Sequence, residues 1–479
     1  MLSALALLAC GASAFGQSFR VQCPTTTTLH PGALTDKGKI KCQEIGGTDG
    51  FATMGDGHQI YLFGFAPLSG LGDPAASVDG ILTGKEGTQT PDIFNSTTDA
   101  RRAKLEPADI MNSGVLFANS PAPMMAIDED DELFLTLSNV GQIMRPDLFE
   151  QHTVHFHGYP NASSFFDGVP DASVAINISG SFTYYYTAPD AGTYFWHCHI
   201  APPEHLQMGM VGQIFVRPRQ NRLTAGDKLY DALKAANTAN GVKVAGATDG
   251  TCTDILCTGA TPLPTLTTAV HASGAKYAYN DGDGSTRYDV EVPIQMMGFD
   301  PNFHFVGMTF NPEAFADMKD KYFMLNGRSY PDTINTSVNN TQTTGQNGLP
   351  VPNGPMSTQS ADGASRPSQP LHSKITIPTG GRALLRISDL SVTEHTTLAT
   401  LGIPMTVIAQ NARLLRDAAG NNLYYNTNSI TLGGGESTDV ILDATNVPAG
   451  TYFLYSTNLD HLSNDAENFG GMMTEIVVQ

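Results

Sequence analysis

Basic side chains are scarce in this chain of 479 residues: 26 Lys and Arg face 46 Asp and Glu, a formal net charge of −20. Nucleic acid and anionic membrane surfaces both need clustered Lys and Arg, so neither is expected as a partner, and an acidic surface serves solubility outside the cell. Beyond the first 17 positions there is no apolar run of about 18 residues, so no membrane-spanning helix is expected in the mature chain. Cysteine is limited to six residues and tryptophan to one. What the chain has instead is 48 Gly and 29 Pro, with Thr, Ser, Asn and Asp between short apolar runs, the pattern of a turn-rich all-β architecture.

Residues 2–9 are apolar and Ala12-Ser13-Ala14 has the form of a small-x-small cleavage site, so residues 1–17 read as a secretory signal; acylation at Cys10 is the alternative. A secreted or periplasmic location follows. Residues 18–54 read as a polar N-terminal extension. Strand patterns then run from Ile60 to Val216, giving a first sandwich at 55–218, with the acidic run Asp128 to Asp131 as a solvated strand entrance. A polar linker or cover at 219–286 contains one short helical pattern, Asp227 to Asn237. A second sandwich follows at 287–479, interrupted at 335–370 by an insertion that reads as mobile. Cys23 with Cys42, and Cys252 with Cys257, suit two local disulfides in an oxidising compartment, leaving Cys198 unpaired.

That cysteine lies between two histidines, and six of the thirteen histidines fall in its window. One stretch is His152-Thr-Val-His155-Phe-His157-Gly158; the other is His197-Cys198-His199, followed by His205 and Met210. Successive strand side chains alternate faces, so His155 and His157 share one face and His152 takes the other. Cys198 likewise faces away from His197 and His199. Two sites back to back are expected. A thiolate, two imidazoles and a thioether make the trigonal set that holds blue copper, whereas structural zinc needs four close ligands, usually paired cysteines. An internal repeat lays Ala191-Gly-Thr-Tyr-Phe-Trp-His-Cys-His199 on Ala449-Gly-Thr-Tyr-Phe-Leu-Tyr-Ser-Thr457, which puts Tyr455, Ser456 and Thr457 where the first copy has metal-capable residues.

These motifs resemble the copper-binding motifs of the multicopper oxidases, and the chain is similar to the two-domain, laccase-like members of that family. The resemblance covers 55–218; the second half resembles the family's copper-free middle domain at Phe323 to Pro331, Val407-Ile-Ala409 and Thr438 to Ala444. It implies two cupredoxin-like Greek-key β-sandwich domains. It also implies a type 1 copper on His152, Cys198, His205 and Met210, with electrons from a phenolic or metal-ion donor entering at His205. Cys198 would pass them to a second, type 2/type 3 centre on His155, His157, His197 and His199, where the family reduces O2 to water. A complete cluster of that family uses twice as many histidines, so a homo-oligomer completing it is one reading. A nitrite-reductase-like enzyme and a blue-copper electron carrier are the alternatives. His30, His58, His271, His304, His372, His395 and His461 read singly as surface or hydrogen-bonded residues, with His395 and His461 nearest to repeat positions. Asp167 reads as a turn residue, Trp196 as core, and the paired methionines 124/125, 296/297 and 472/473 as gap fillers.

Overall fold

The structure is a computed structural model that describes residues 24, 26–31, 40–68, 114–158, 163–188, 190–239, 268–308, 314–336, 341–344, 350–353, 357–359 and 365–479. The expected signal, the insert's remaining residues, Cys23, Cys252 and Cys257 lie outside them.

The first half holds strands β1 (Ile40–Thr53), β2 (Gln59–Pro67), β3 (Met125–Asp128), β4 (Glu132–Gly141), β5 (His155–Phe156), β6 (Ser181–Thr187), β7 (Gly192–His197) and β8 (Val211–Arg217). Helix α1 (Pro202–Gln207) joins β7 to β8. Two four-stranded sheets result, ordered β2-β1-β4-β6 and β3-β8-β7-β5. Between them Leu135, Leu137, Phe156, Tyr184, Trp196, Ile214 and Cys198 share one buried core.

The extension expected to precede this sandwich supplies a central strand of it. β1 runs parallel to β4 and antiparallel to β2. Its sequence, Ile40 to Thr53, carries Gly46, Gly47 and Gly50 and no clean alternation, so the pattern of period two hides it. The glycines mark close approaches instead: a Cβ on Gly47 would stand 2.5 Å from His152 Cδ2, and one on Gly50 3.1 Å from the Ala118 backbone. The acidic run is also not solvated. Glu129 and Asp131 are buried; Glu129 accepts from the Ala191, Arg219 and Asn280 nitrogens, and Asp130 pairs with Arg219 and Arg222 at 2.7 Å each. A buried carboxylate is tolerable only with such partners.

The segment expected as linker contains α2 (Leu229–Ala239), close to the expected helix, and β9 (Lys276–Tyr277), which pairs with β10 (Arg287–Tyr288) just beyond it. The second half adds β11 (Val290–Phe299), α3 (Pro301–Met308) and β12 (Tyr322–Leu325). Where a mobile insertion was expected, the described residues form two hairpins, β13 (Thr341–Thr344) with β14 (Pro350–Asn353) and β15 (Ser357–Gln359) with β16 (Ser365–Pro367). The remaining strands are β17 (Ile375–Ile377), β18 (Arg382–Asp389), β19 (Thr396–Leu401), β20 (Met405–Gln410), β21 (Arg413–Leu414), β22 (Tyr425–Thr427), β23 (Ser429–Leu432), β24 (Ser437–Asp443), β25 (Gly450–Ser456) and β26 (Met473–Val478). They build a sheet ordered β12-β11-β18-β24-β20-β21, with β22 also on β20, and a second ordered β17-β26-β25-β19-β23. Both halves are therefore the all-β cupredoxin sandwiches expected.

Polar side chains tie the sandwiches together. Thr193 donates to Asp439 at 2.5 Å, Gln213 to Ser388 at 2.7 Å, and buried Glu291 takes Arg217 and Arg386 at 2.9 and 3.0 Å.

Candidate metal centre

β5 is only two residues long, yet it sets both faces. His155 lies opposite His197 and Phe156 opposite Trp196, so the Phe156–Trp196 pair faces the core and the His155–His197 pair the other side of the sheet. Cys198, just past β7, turns inward with His152, which is held by a bridge to Ile176. The loop after β7 then folds back: the Cys198 N–H donates to the Met210 carbonyl at 3.1 Å, and the Met210 N–H donates to the His205 carbonyl at 2.8 Å.

In the inner site Cys198 Sγ lies 3.3 Å from His205 Nδ1 and 4.0 Å from His152 Nδ1, while the Thr153 N–H donates to the sulfur at 3.5 Å. All three residues are fully buried, as is Met210. Burial alone would raise the Cys198 thiol, but His205 and then His152 outweigh it and hold it well below the usual thiol range. Burial likewise opposes charge on His205, yet Cys198 and Glu150 push its pKa up to about 10. The ring that was expected nearest the surface is not exposed. His205 Nε2 instead faces Glu150 Oε2 at 3.5 Å, ion-pair range without a well-formed hydrogen bond, and it is Glu150, 27% exposed, that reaches solvent beside Phe149, 83% exposed. Met208, two residues before Met210, has its sulfur against Gly307 of α3, where a Cβ would stand 3.3 Å away.

The outer site gathers His155, His157 and His197, whose ligand atoms lie within 4.8 Å of one another; His199 lies beside them, edge-on to His155 with ring centroids 4.9 Å apart and stacked on His197 at 5.6 Å. Three rings have one nitrogen committed to the backbone. His155 Nδ1 donates to the Asp167 carbonyl at 2.7 Å and His197 Nδ1 to the Cys198 carbonyl at 2.6 Å, while the Gly435 backbone bonds the His157 ring. Carbonyls only accept, so in His155 and His197 the Nδ1 proton is fixed and the lone pair falls on Nε2. His157 Nε2 and His197 Nε2 then face each other at 3.0 Å. Imidazoles locked this way present the donor set of a metal ligand with its outer hydrogen bond already made. Burial, reinforced by the other histidines, lowers the pKa of His157 and takes His197 to about 3, so the rings stay neutral and able to ligate.

Asp167 therefore does more than turn the chain: its carbonyl orients His155, with the carboxylate 3.6 Å away. The following Gly168, at φ +79°, has no room for a Cβ against the Val154 carbonyl. Trp196 is core, between Phe65 and Phe156, and Met124, Met125, Met296, Met297 and Met472 are buried among apolar side chains.

The second sandwich repeats the inner loop bond for bond. The Ser456 N–H donates to the Met472 carbonyl at 2.9 Å and the Met472 N–H to the His461 carbonyl at 2.8 Å. In register, Ala399 lies opposite Tyr455 and Leu401 opposite Phe453, so Ala399, Leu401, Tyr455 and Thr457 stand where the first sandwich has His155, His157, His197 and His199, and Thr396 stands for His152. His461 is bound by Ser456 at 3.2 Å, Asn458 at 3.1 Å and Glu394 at 3.0 Å, which fills the space of a metal with hydrogen bonds. His30 pairs with Glu132 and exposed His58 with Asp56. His395 is exposed, with Nε2 beside Gly433.

Two family models, both described as multicopper oxidase, match residues 100–221 and 318–477, together more than half of the chain. Laccase abr2 of Aspergillus fumigatus is 31% identical over 112 residues, 22% of this chain and 18% of its own length. A copper-containing nitrite reductase of Neorhizobium galegae is 35% identical over 102 residues, 21% of this chain and 24% of its own. The alignments thus span about a quarter or less of these relatives. Among solved structures, the blue copper oxidase of Nitrosomonas europaea superposes with a TM-score of 0.51 at 16% identity, covering 92% of this chain and 86% of that one, a likeness of fold.

Proposed function

Because the chain belongs to the multicopper oxidase family, whose metal is copper, we propose that it is an exported oxidoreductase of laccase-like type. It would oxidise a phenolic or metal-ion donor by one electron at a time and reduce O2 to water. The observation that carries this reading is the pair of back-to-back donor sets joined through Cys198 and its neighbours. Copper, when bound, supplies one-electron redox chemistry at both. The buried Nε2 of His152 has no hydrogen-bond partner, and its Nδ1 is turned to the Cys198 sulfur at 4.0 Å. The residues fit the metal: a thiol already biased to thiolate, two converging Nδ1 atoms and a buried thioether form the soft set that type 1 copper takes.

His152, Cys198, His205 and Met210 would hold the inner copper; His155, His157, His197 and His199 would hold the outer one. Donor oxidation takes place at the Glu150 side, where a carboxylate at the outward end of His205 and the apolar Phe149 fit an aromatic donor bearing an acidic hydroxyl, or a cation. With copper bound at both, the covalent link from Cys198 to His197 and His199 would supply an electron path between the centres. Cys42 pairs with Cys23 and Cys252 with Cys257 in the oxidising compartment that an exported protein meets.

The outer centre lacks a second set of histidines among the described residues. His155 and His199 remain partly exposed, and a second copy facing them would double the donors. Sedimentation that finds only monomer at full oxidase activity would contradict that assembly. The function itself is tested by oxygen uptake with a phenolic donor in the copper-loaded protein and in Cys198→Ser. Uptake in the first and none in the second is expected; uptake unchanged in Cys198→Ser refutes the assignment.

A further inference from the structure

The copper-free second sandwich reaches into the loop between His205 and Met210. Helix α1 is six residues long, far below what is stable alone, and it starts at Ala201 in the left-handed region (φ 36°) with no side-chain cap. Its position must come from elsewhere. Its last residue, Gln207, is gripped through both ends of its amide and its carbonyl: Nε2 donates to Asp320 Oδ1 at 2.8 Å, Oε1 accepts from the Asp300 N–H at 3.1 Å, and the carbonyl faces His304 Nε2 at 2.9 Å. The opposite nitrogen of His304 faces the Tyr61 carbonyl in β2 at 2.5 Å. A buried ring packed on Phe299, with centroids 4.3 Å apart, thus bridges a strand and a helix of the first sandwich from α3 of the second. Asp320 is fixed in turn by the Thr393 hydroxyl at 2.8 Å, and Gly298 beside it leaves no room for a Cβ.

We propose that His304 is a positioning residue for the type 1 loop, acting through the Gln207 carbonyl to set where His205 and Met210 stand relative to Cys198. The inference rests on the reading that this loop holds type 1 copper. Gln207 lies two residues after His205 and three before Met210, so a shift of the helix end moves both donors together. Thiolate-to-copper charge transfer depends steeply on that geometry. The second sandwich, emptied of its own metal, is on this account the wall that keeps the first sandwich's metal loop in register.

The test compares wild type with His304→Phe, which keeps an aromatic ring and removes both nitrogens that face the carbonyls, and His304→Gln, which keeps a donor amide. In the metal-free proteins, amide exchange is read at Met208, Gly209 and Met210. At least tenfold faster exchange there in His304→Phe, with β24 unchanged, is expected. In the copper-loaded proteins, the thiolate-to-copper band and the copper hyperfine splitting should shift in His304→Phe and recover in part in His304→Gln. Wild-type exchange and an unshifted spectrum in His304→Phe would overturn the proposal. A wild-type protein without any thiolate-to-copper band would instead sink the functional reading, and the metal-free arm would still decide the clamp. If His304→Phe does not fold, Thr393→Val is read by the same two arms for a smaller shift in the same direction.

Discussion

Gly47→Ala adds one methyl group at the place where a backbone strand and a candidate copper ligand come closest. The new Cβ would stand 2.5 Å from His152 Cδ2 and 3.1 Å from its Cγ, whereas ordinary carbon contacts begin near about 3.5 Å. Either the ring or the strand must therefore give by about 1 Å. Neither is free to do so: β1 is hydrogen-bonded on both edges, and His152 is completely buried. Gly47 is not among the positive-φ residues, so the cost is steric and not conformational. Overpacking of this kind costs about 1–3 kcal/mol. The expected outcome is a loss of that size in urea unfolding of the metal-free protein, together with a weakened or displaced thiolate-to-copper band after loading. Gly46→Ala on the same strand is the control, because its Cβ would meet only the flexible end of Leu68 at 3.2 Å. A Gly47→Ala protein within about 0.3 kcal/mol of wild type and spectrally identical to it would refute the reasoning.

Gly435→Ala should act on the other centre: at φ +88° with its Cβ 2.9 Å from His157, it is expected to lose about 1–2 kcal/mol and to alter EPR signals of the outer copper while the blue band is kept. Burial pushes the Asp320 carboxyl up to about 6 from 3.8. Its folded pKa being the higher one, its contribution is present below about pH 4 and is lost as pH rises through 6; unfolding of Asp320→Asn should therefore lack a fall of about 3 kcal/mol that wild type shows over that window. The double variant Ser456→Cys with Thr396→His should install a second thiolate-to-copper band in the presence of His461 and Met472, seen as added absorbance per protein; no added absorbance would contradict the loop equivalence. Glu150→Gln keeps the shape beside His205 but removes the charge, so KM for a cationic or phenolic donor should rise several-fold while the blue band keeps its intensity.

Most of the site was legible because its chemistry is written in spacing. The parity of His152 against His155 and His157, and of Cys198 against its neighbours, survives in the structure as an inner and an outer donor set. The C-terminal repeat was legible too, since Ser456 and Met472 reproduce the hydrogen bonds of Cys198 and Met210. What stayed hidden depends on residues brought together from far along the chain. β1 escaped because glycines, where His152 and Ala118 press in, erase its alternation. Glu129 looked solvated because its partners, Arg219 and Asn280, come from a segment taken for a linker. His304 looked like a lone histidine, and nothing local in Pro301 to Met308 announces that both of its nitrogens face carbonyls in another sandwich. Surface access of His205 was misjudged for the same reason: Glu150, not the ring, is the outward group.

The central claim is that one cysteine separates two copper centres within the first sandwich. Copper stoichiometry measured together with EPR on the loaded protein tests it most directly. More than one copper per chain is expected, one of them with the narrow hyperfine splitting and intense absorption of a thiolate-bound centre, both lost in Cys198→Ser. A single copper per chain would leave an electron carrier in place of an oxidase, and copper without any thiolate signature would contradict the account.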